Sequence, residues 1–148
     1  MANAAQHTTG LDRILELVVL VSDDMTQSLA RDGLTSSRAH VIWELRQRAP
    51  MTQRALADAM GVSARNVTGL VDGLVATGFV TREPHPTDRR AILVSFTEHG
   101  AKIAKSFADG QQEFARLLFS GMPARQVDDF VDTMDEILAR LRDEPGKP

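Results

Sequence analysis

A mainly α-helical chain with one small β-hairpin, an α+β arrangement, is the fold class this sequence predicts. Three observations predict it. Six segments of the 148 residues carry apolar side chains at helical spacing or between clear helix caps. Only two short runs, 79–83 and 91–97, have strand character, and seven residues with two prolines join them as a hairpin. The hairpin falls after the fourth helix, so the order is four helices, hairpin, two helices.

Each element has its own signal. Residues 11–30 place Leu11, Ile14, Leu15, Val18, Val21, Met25 and Leu29 at helical intervals. Leu17, Val19 and Leu20 carry the apolar surface round much of the cylinder, so this helix is expected to be buried on more than one side. Gly33 stops it. Thr35 caps a second helix through Arg48, with Val41, Ile42 and Leu45 inward, and Pro50 ends it by disfavouring helix at Ala49. Thr52 caps a short third helix that ends at Gly61; Ser63 caps a fourth that closes at Gly78. After the hairpin, Thr97 caps a fifth helix with Glu98 in its first turn. It carries Ile103, Phe107, Phe114, Leu117 and Leu118 and breaks at Gly121. Pro123 suits the first turn of a sixth, where Val127, Phe130, Val131, Met134, Ile137, Leu138 and Leu141 form one stripe. Residues 144–148 are expected to be a disordered tail.

Composition removes several classes of function. There is no cysteine, hence no disulfide, thiol redox chemistry or Cys-ligated zinc. The longest apolar run, Leu17–Val21, is far short of a membrane span, and the N-terminus lacks the pattern of a secretory signal, so a cytoplasmic protein without membrane attachment is expected. His7, His40, His85 and His99 show no metal-ligand spacing, and no phosphate-binding loop, nucleophile elbow or zinc-protease motif occurs. No cofactor, metal or catalysis is expected. The net charge is −3, unevenly spread: from Thr35 to Arg90 eight basic and five acidic residues give +3, and the remainder gives −6. A basic centre between acidic ends suits a central polyanion-binding module.

Within that centre, "QRALADAMGVSARNVTGLVD" at 53–72 has the pattern of a helix–turn–helix. Small Ala57 stands where two helices cross, Gly61 lies in the turn, and Leu56, Met60, Val62, Val67 and Leu70 are apolar. The second helix of such a unit enters the major groove of DNA and reads bases from its N-terminal turns. The exposed early positions here are Ser63, Ala64, Arg65, Asn66 and Thr68. Arginine pairs with guanine and asparagine with adenine, while Ser63 and Thr68 are expected to reach phosphates. Gln53 and Arg54, opening the third helix, complete the expected contact set on this unit. The hairpin that follows is the wing of a winged helix. Its tip "HPTDRR" offers Arg89 and Arg90 to a minor groove, with Asp88 expected to hold one guanidinium extended.

With these residues in view, the chain resembles the MarR (multiple antibiotic resistance regulator) family of bacterial transcription factors over roughly 11–142. The resemblance is carried by "LTSSRAHVIWEL", by the whole stretch from "MTQRALADAMGVSARNVTGLVD" through "TEHG", and by the Asp88-Arg89-Arg90 wing followed by Leu93, Thr97 and Gly100. It implies a homodimer on a pseudo-palindromic operator. Residues 1–33 and 98–143 would form the helical dimerisation region and 34–97 the winged helix–turn–helix. It also implies repression relieved by a small aromatic or lipophilic effector. The residues agree on dimerisation: Leu11, Ile14, Leu15 and Val18 with Phe130, Met134, Ile137, Leu138 and Leu141 offer more apolar surface than one small domain hides. At Gly69 and Gly73 relatives often carry a basic residue, so each is expected to be a lost contact.

Two readings stay open beside this one. Trp43 and His40, with Asp23 and Phe107, are candidates for an effector pocket, although a tryptophan packed at a domain junction fits the same residues. A winged helix that serves as a protein-interaction adaptor, binding DNA weakly or not at all, would tolerate glycine at 69 and 73.

Overall fold

The computed structural model describes residues 1–143; the expected disordered tail at 144–148 lies outside the described residues. Helix α1 spans Ala4–Arg31, α2 Ser36–Arg48, α3 Gln53–Met60 and α4 Ala64–Ala76. Strands β1 (Met51–Thr52), β2 (Val80–Pro84) and β3 (Ile92–Phe96) form one antiparallel sheet in the order β1-β3-β2. Helices α5 (Glu98–Phe119) and α6 (Ala124–Asp143) follow. The chain divides into two compact units, residues 1–106 and 107–148.

The caps expected for the central helices are all formed. Thr35, Thr52 and Ser63 lie in extended backbone and accept from the amides of Arg38, Ala55 and Asn66. Gly61 takes the left-handed conformation at φ 65° that the turn into α4 requires. Between the caps, Val41, Ile42 and Leu45 of α2, Leu56 of α3 and Val67, Val71 and Leu74 of α4 are buried together with Val80 and Val94 of the sheet. That apolar cluster is the core of the first unit. Its burial, at about 25 cal/mol per Å² of apolar surface, is the main force holding the helix–turn–helix to the wing.

The structure corrects the expected elements in three places. The wing sheet has three strands, not two: Met51 and Thr52 pair with Val94 and Leu93. Two residues show no alternation, and Thr52 serves at once as strand end and as cap of α3. Helix α1 starts at Ala4, seven residues before the first apolar position. Asn3 and Gln6 close a capping box there, each side chain bonded to the other's backbone amide at 3.0 and 2.9 Å. Pro123 precedes α6 instead of lying inside its first turn; its carbonyl accepts from Gln126 and Val127.

Within the first unit α1 buries only Leu29; Leu11, Leu15, Val18 and Leu20 are exposed and Ile14 partly so. The expected burial on several sides is therefore absent within this unit. In the second unit, α6 has no buried residue: Phe130, Val131, Leu138 and Leu141 are exposed, Met134 and Ile137 half-exposed. The turn at Gly121, φ 84°, brings the rings of Phe119 and Phe130 to 5.6 Å.

The junction between wing and α5 is a close backbone approach. Thr97 donates its hydroxyl to the Gly78 carbonyl at 2.6 Å and its amide to the Phe79 carbonyl, and its Oγ accepts from Gly100 N. A Cβ on Gly100 would collide with the Phe79 carbonyl oxygen. Alanine normally stabilises a helix by about 1 kcal/mol over glycine. Here Gly100→Ala should instead destabilise the fold by about 2 kcal/mol or more, since backbone must shift. Urea denaturation of the variant measures this, and an unchanged or raised midpoint would refute the collision.

Candidate nucleic-acid interface

The turn 61–63 sets the direction of α4. Val62 donates to the Ala57 carbonyl at 3.1 Å, and Ser63 Oγ caps the helix on Asn66 N. With Val67, Val71 and Leu74 turned into the core, the opposite face shows Ala64, Arg65, Asn66, Thr68, Gly69 and Asp72 to solvent. A hollow open to solvent, lined by Ser63, Arg65, Asn66, Gly69 and Leu70, lies along it. Nothing stands within 4 Å of where a Gly69 Cβ would be. Arg65 and Asn66, the two side chains suited to base edges, flank that hollow; Arg54 of α3 is also exposed.

Two other members of the expected contact set are tied into the frame. Gln53 donates from Nε2 to Thr68 Oγ1 at 3.3 Å, and Thr68 donates its hydroxyl to the Ala64 carbonyl at 2.8 Å. The group that organises them is Arg82, which the sequence reading did not single out. From β2 it donates through Nε to Gln53 Oε1 at 2.7 Å and through Nη2 to the Thr68 carbonyl at 3.3 Å. Its Nη1 lies 2.6 Å from Asp72 Oδ1. Strand alternation was the available signal: Val80 is buried, Thr81 exposed and Arg82 half-buried, so Arg82 points the same way as Val80.

The structure replaces two further expectations. Gly73 is not a bare loss of charge. A Cβ there would stand 2.6 Å from Cζ of Arg38, so the guanidinium of α2 fills the space that glycine leaves beside α4. At the wing tip, Asp88 holds no guanidinium; its Oδ1 accepts from the Arg90 amide at 3.0 Å. A carboxylate two residues upstream of an amide closes this short ring readily, whereas a guanidinium must be ordered along its whole stem. Arg89 and Arg90 are exposed, and among the described residues neither guanidinium has a hydrogen-bond or ion-pair partner.

The candidates for an effector pocket divide between the units. In the first, Asp23 is exposed, His40 Nε2 lies 3.4 Å from Glu44 Oε1, and Trp43 carries the Arg46 guanidinium 4.4 Å above its ring. Phe107 belongs to the second unit. Among the described residues no three His, Asp or Glu side chains gather as a metal site, and no helix is long and apolar enough to cross a membrane.

The Arg82 tie has a measurable worth. Arg82→Ala leaves Gln53 Oε1 and the Thr68 carbonyl without this donor and should lower unfolding free energy by about 1–2 kcal/mol. The Asp72 pair, its carboxylate side chain 59% exposed, adds little to that. Arg82→Lys should restore only part, because an ammonium cannot serve three acceptors spread like a guanidinium fork. Urea denaturation of the two variants decides; equal stability of all three proteins would mean that apolar packing alone seats α4 on β2.

Comparison with known proteins places the chain. A family model described as the MarR family matches residues 34–92. An uncharacterized HTH-type transcriptional regulator of Mycobacterium bovis, Mb0904, is 30% identical over 109 residues, 74% of this chain and 76% of that protein. A similar regulator of Mycobacterium leprae, ML2140, is 36% identical over 78 residues, so this chain spans about half, 54%, of its length. The crystal structure of wild-type MarR, apo form, from Escherichia coli superposes with a TM-score of 0.66 at 26% identity. That match covers 86% of this chain and 96% of that one.

Proposed function

The chain belongs to the MarR family of transcriptional regulators, and from that premise we propose that it binds double-stranded DNA as a homodimer and represses transcription from a pseudo-palindromic operator. The observation that carries this is the surface made by α4 and the wing. Arg65 and Asn66 stand exposed on the outer face of a capped helix, and two exposed arginines stand on a backbone-locked hairpin tip.

In this reading α4 lies in the major groove. Arg65 addresses guanine O6 and N7, and Asn66 addresses adenine N6 and N7. Ser63, Ala64 and Arg54 border the backbone, Gln53 and Thr68 keep the helix in register through Arg82, and the wing lays Arg89 and Arg90 in the adjacent minor groove. A second copy covers the apolar faces of α1 and α6, through Leu11, Ile14, Leu15, Val18, Phe130, Met134, Ile137, Leu138 and Leu141. Residues 1–33 and 98–143 are thus the dimerisation region, and the two recognition helices meet half-sites about one helical turn, ~34 Å, apart. The dimer on its operator blocks polymerase in the cytoplasm. A small aromatic or lipophilic effector relieves the block by stabilising a dimer whose helices are wrongly spaced.

Fluorescence anisotropy with the DNA upstream of the protein's own gene tests the DNA arm. Log affinity should fall linearly with log salt, by about 0.9 per neutralised phosphate, and Arg89→Ala should weaken binding and flatten the slope by about one contact. Binding no tighter than to random DNA, with a shallow slope, would favour the adaptor reading. Sedimentation tests the dimer: Val18→Glu and Leu138→Glu, each placing a charge on an apolar face, should shift the protein to monomer. DNA affinity should then fall by an order of magnitude or more, since each half-site is held alone. A wild-type monomer at micromolar concentration would refute that arm.

A further inference from the structure

We infer that His85 is a positioning residue for DNA binding: its neutral ring holds the wing turn that presents Arg89 and Arg90, and its protonation releases that turn. The inference rests on the wing being a DNA-contacting element, as proposed above.

His85 follows β2 and is half-buried. Its Nδ1 lies 3.2 Å from the amide nitrogen of Thr87 and 3.1 Å from that of Asp88, both as donors, with Thr87 Oγ1 at 3.3 Å. A backbone N–H can only donate. Nδ1 must therefore offer a lone pair, which puts the ring proton on Nε2. The rest of the loop is closed by backbone. His85 N donates to the Ala91 carbonyl, Ala91 N to the Asp88 carbonyl, and Arg90 N to Asp88 Oδ1. Pro86, between His85 and Thr87, has no N–H to satisfy and a fixed φ suited to the turn. Two amides on one ring nitrogen and one amide on one carboxylate thus shape the tip. The two guanidiniums take no part and stay available to a ligand.

A proton on Nδ1 would face two N–H donors with a third. The imidazolium must turn away, and the amides of Thr87 and Asp88 lose their shared acceptor. The tip then has to be reordered on each binding event, and affinity drops by that cost. The sign is diagnostic. Charging a histidine beside DNA ordinarily strengthens binding through the phosphates. Through His85, affinity instead falls as the ring gains a proton. The charged groups of the hairpin are Arg82, Glu83, Asp88, Arg89 and Arg90; Arg82 is turned to Asp72. Among the described residues no hydrogen bond or ion pair joins His85 to another element. The other histidines lie elsewhere: His7 on α1, His40 beside Glu44, and His99 with its ring 4.8 Å from that of Phe79.

Two measurements on the full-length protein test this. The first is a nitrogen-15 NMR pH titration without DNA: the Thr87 and Asp88 amides should move in step with the His85 ring, and hold still in His85→Asn. The second is anisotropy on a duplex selected from a random pool at about pH 8, at constant ionic strength. Lowering the pH to about 5.5 should weaken wild-type binding about tenfold. In His85→Asn an amide oxygen accepts from the same N–H groups without titrating. It should bind within about twofold of wild type at pH 8 and stay flat. His85→Ala should be weak at both pH values, like Arg89→Ala. Wild-type affinity that is flat or rises as pH falls, or an Asn variant that falls with it, overturns the inference. If the wild type selects no duplex at pH 8, the DNA reading fails by itself, and Thr87 and Asp88 amides that ignore the His85 titration then overturn the wing geometry independently.

Discussion

Arg82 sits where α3, α4 and the wing meet, and its planar fork reaches a different acceptor from each of three nitrogens: Gln53, Thr68 and Asp72. Apolar packing of Val67, Val71 and Leu74 holds α4 down. Directional bonds from a guanidinium add a fixed reference to that packing. One of them goes to a main-chain carbonyl of α4 itself, so the helix backbone and not merely a side chain is referenced to β2. Everything the outer face of α4 can do, with Arg65 and Asn66 beside the Gly69 hollow, depends on that reference.

The wing follows the complementary principle. There the protein uses backbone, an imidazole nitrogen and one carboxylate to define the loop, and leaves the strongest donors, Arg89 and Arg90, out of it. An arginine already paired with Asp88 would have to give up that pair to meet a phosphate. A loop ordered without its arginines meets a ligand with its ordering cost largely met in advance. Helix α4 applies the same economy to Asp72, whose charge would oppose a phosphate were it not matched by Arg82.

Much of this was legible in the residue order because the signals are local. A cap, a glycine and a proline each constrain only their neighbours, so Thr35, Thr52, Ser63, Gly61 and Gly78 marked the helix ends without knowledge of the fold. What escaped was set by contacts between distant residues. β1 is two residues made into a strand only by Val94 and Leu93 opposite. Arg38 meets Gly73 across thirty-five positions, and Arg82 meets Gln53 across twenty-nine. Asp88 escaped for the opposite reason: its partner is a main-chain amide two residues away, and reasoning about charges looked to the guanidiniums instead.

The charge distribution gives the proposed dimer a role in DNA binding. On α4 the only charged residues are Arg65 and Asp72, and Asp72 is matched by Arg82. In the proposed DNA-binding mode a single winged helix therefore offers one cation on α4 and two at the wing tip, with Arg54 exposed on α3. Each exposed cation contributes a salt-sensitive, modest share of affinity. So few contacts hold a polyanion weakly when they act once. They hold it tightly when a second set is fixed at a matching distance, because the second engagement is then intramolecular. In the proposed dimer, exposed leucine, valine and phenylalanine side chains buried against a second copy would fix that distance. On that proposal the low charge of the α4 surface and the exposed apolar area of the terminal helices serve one end.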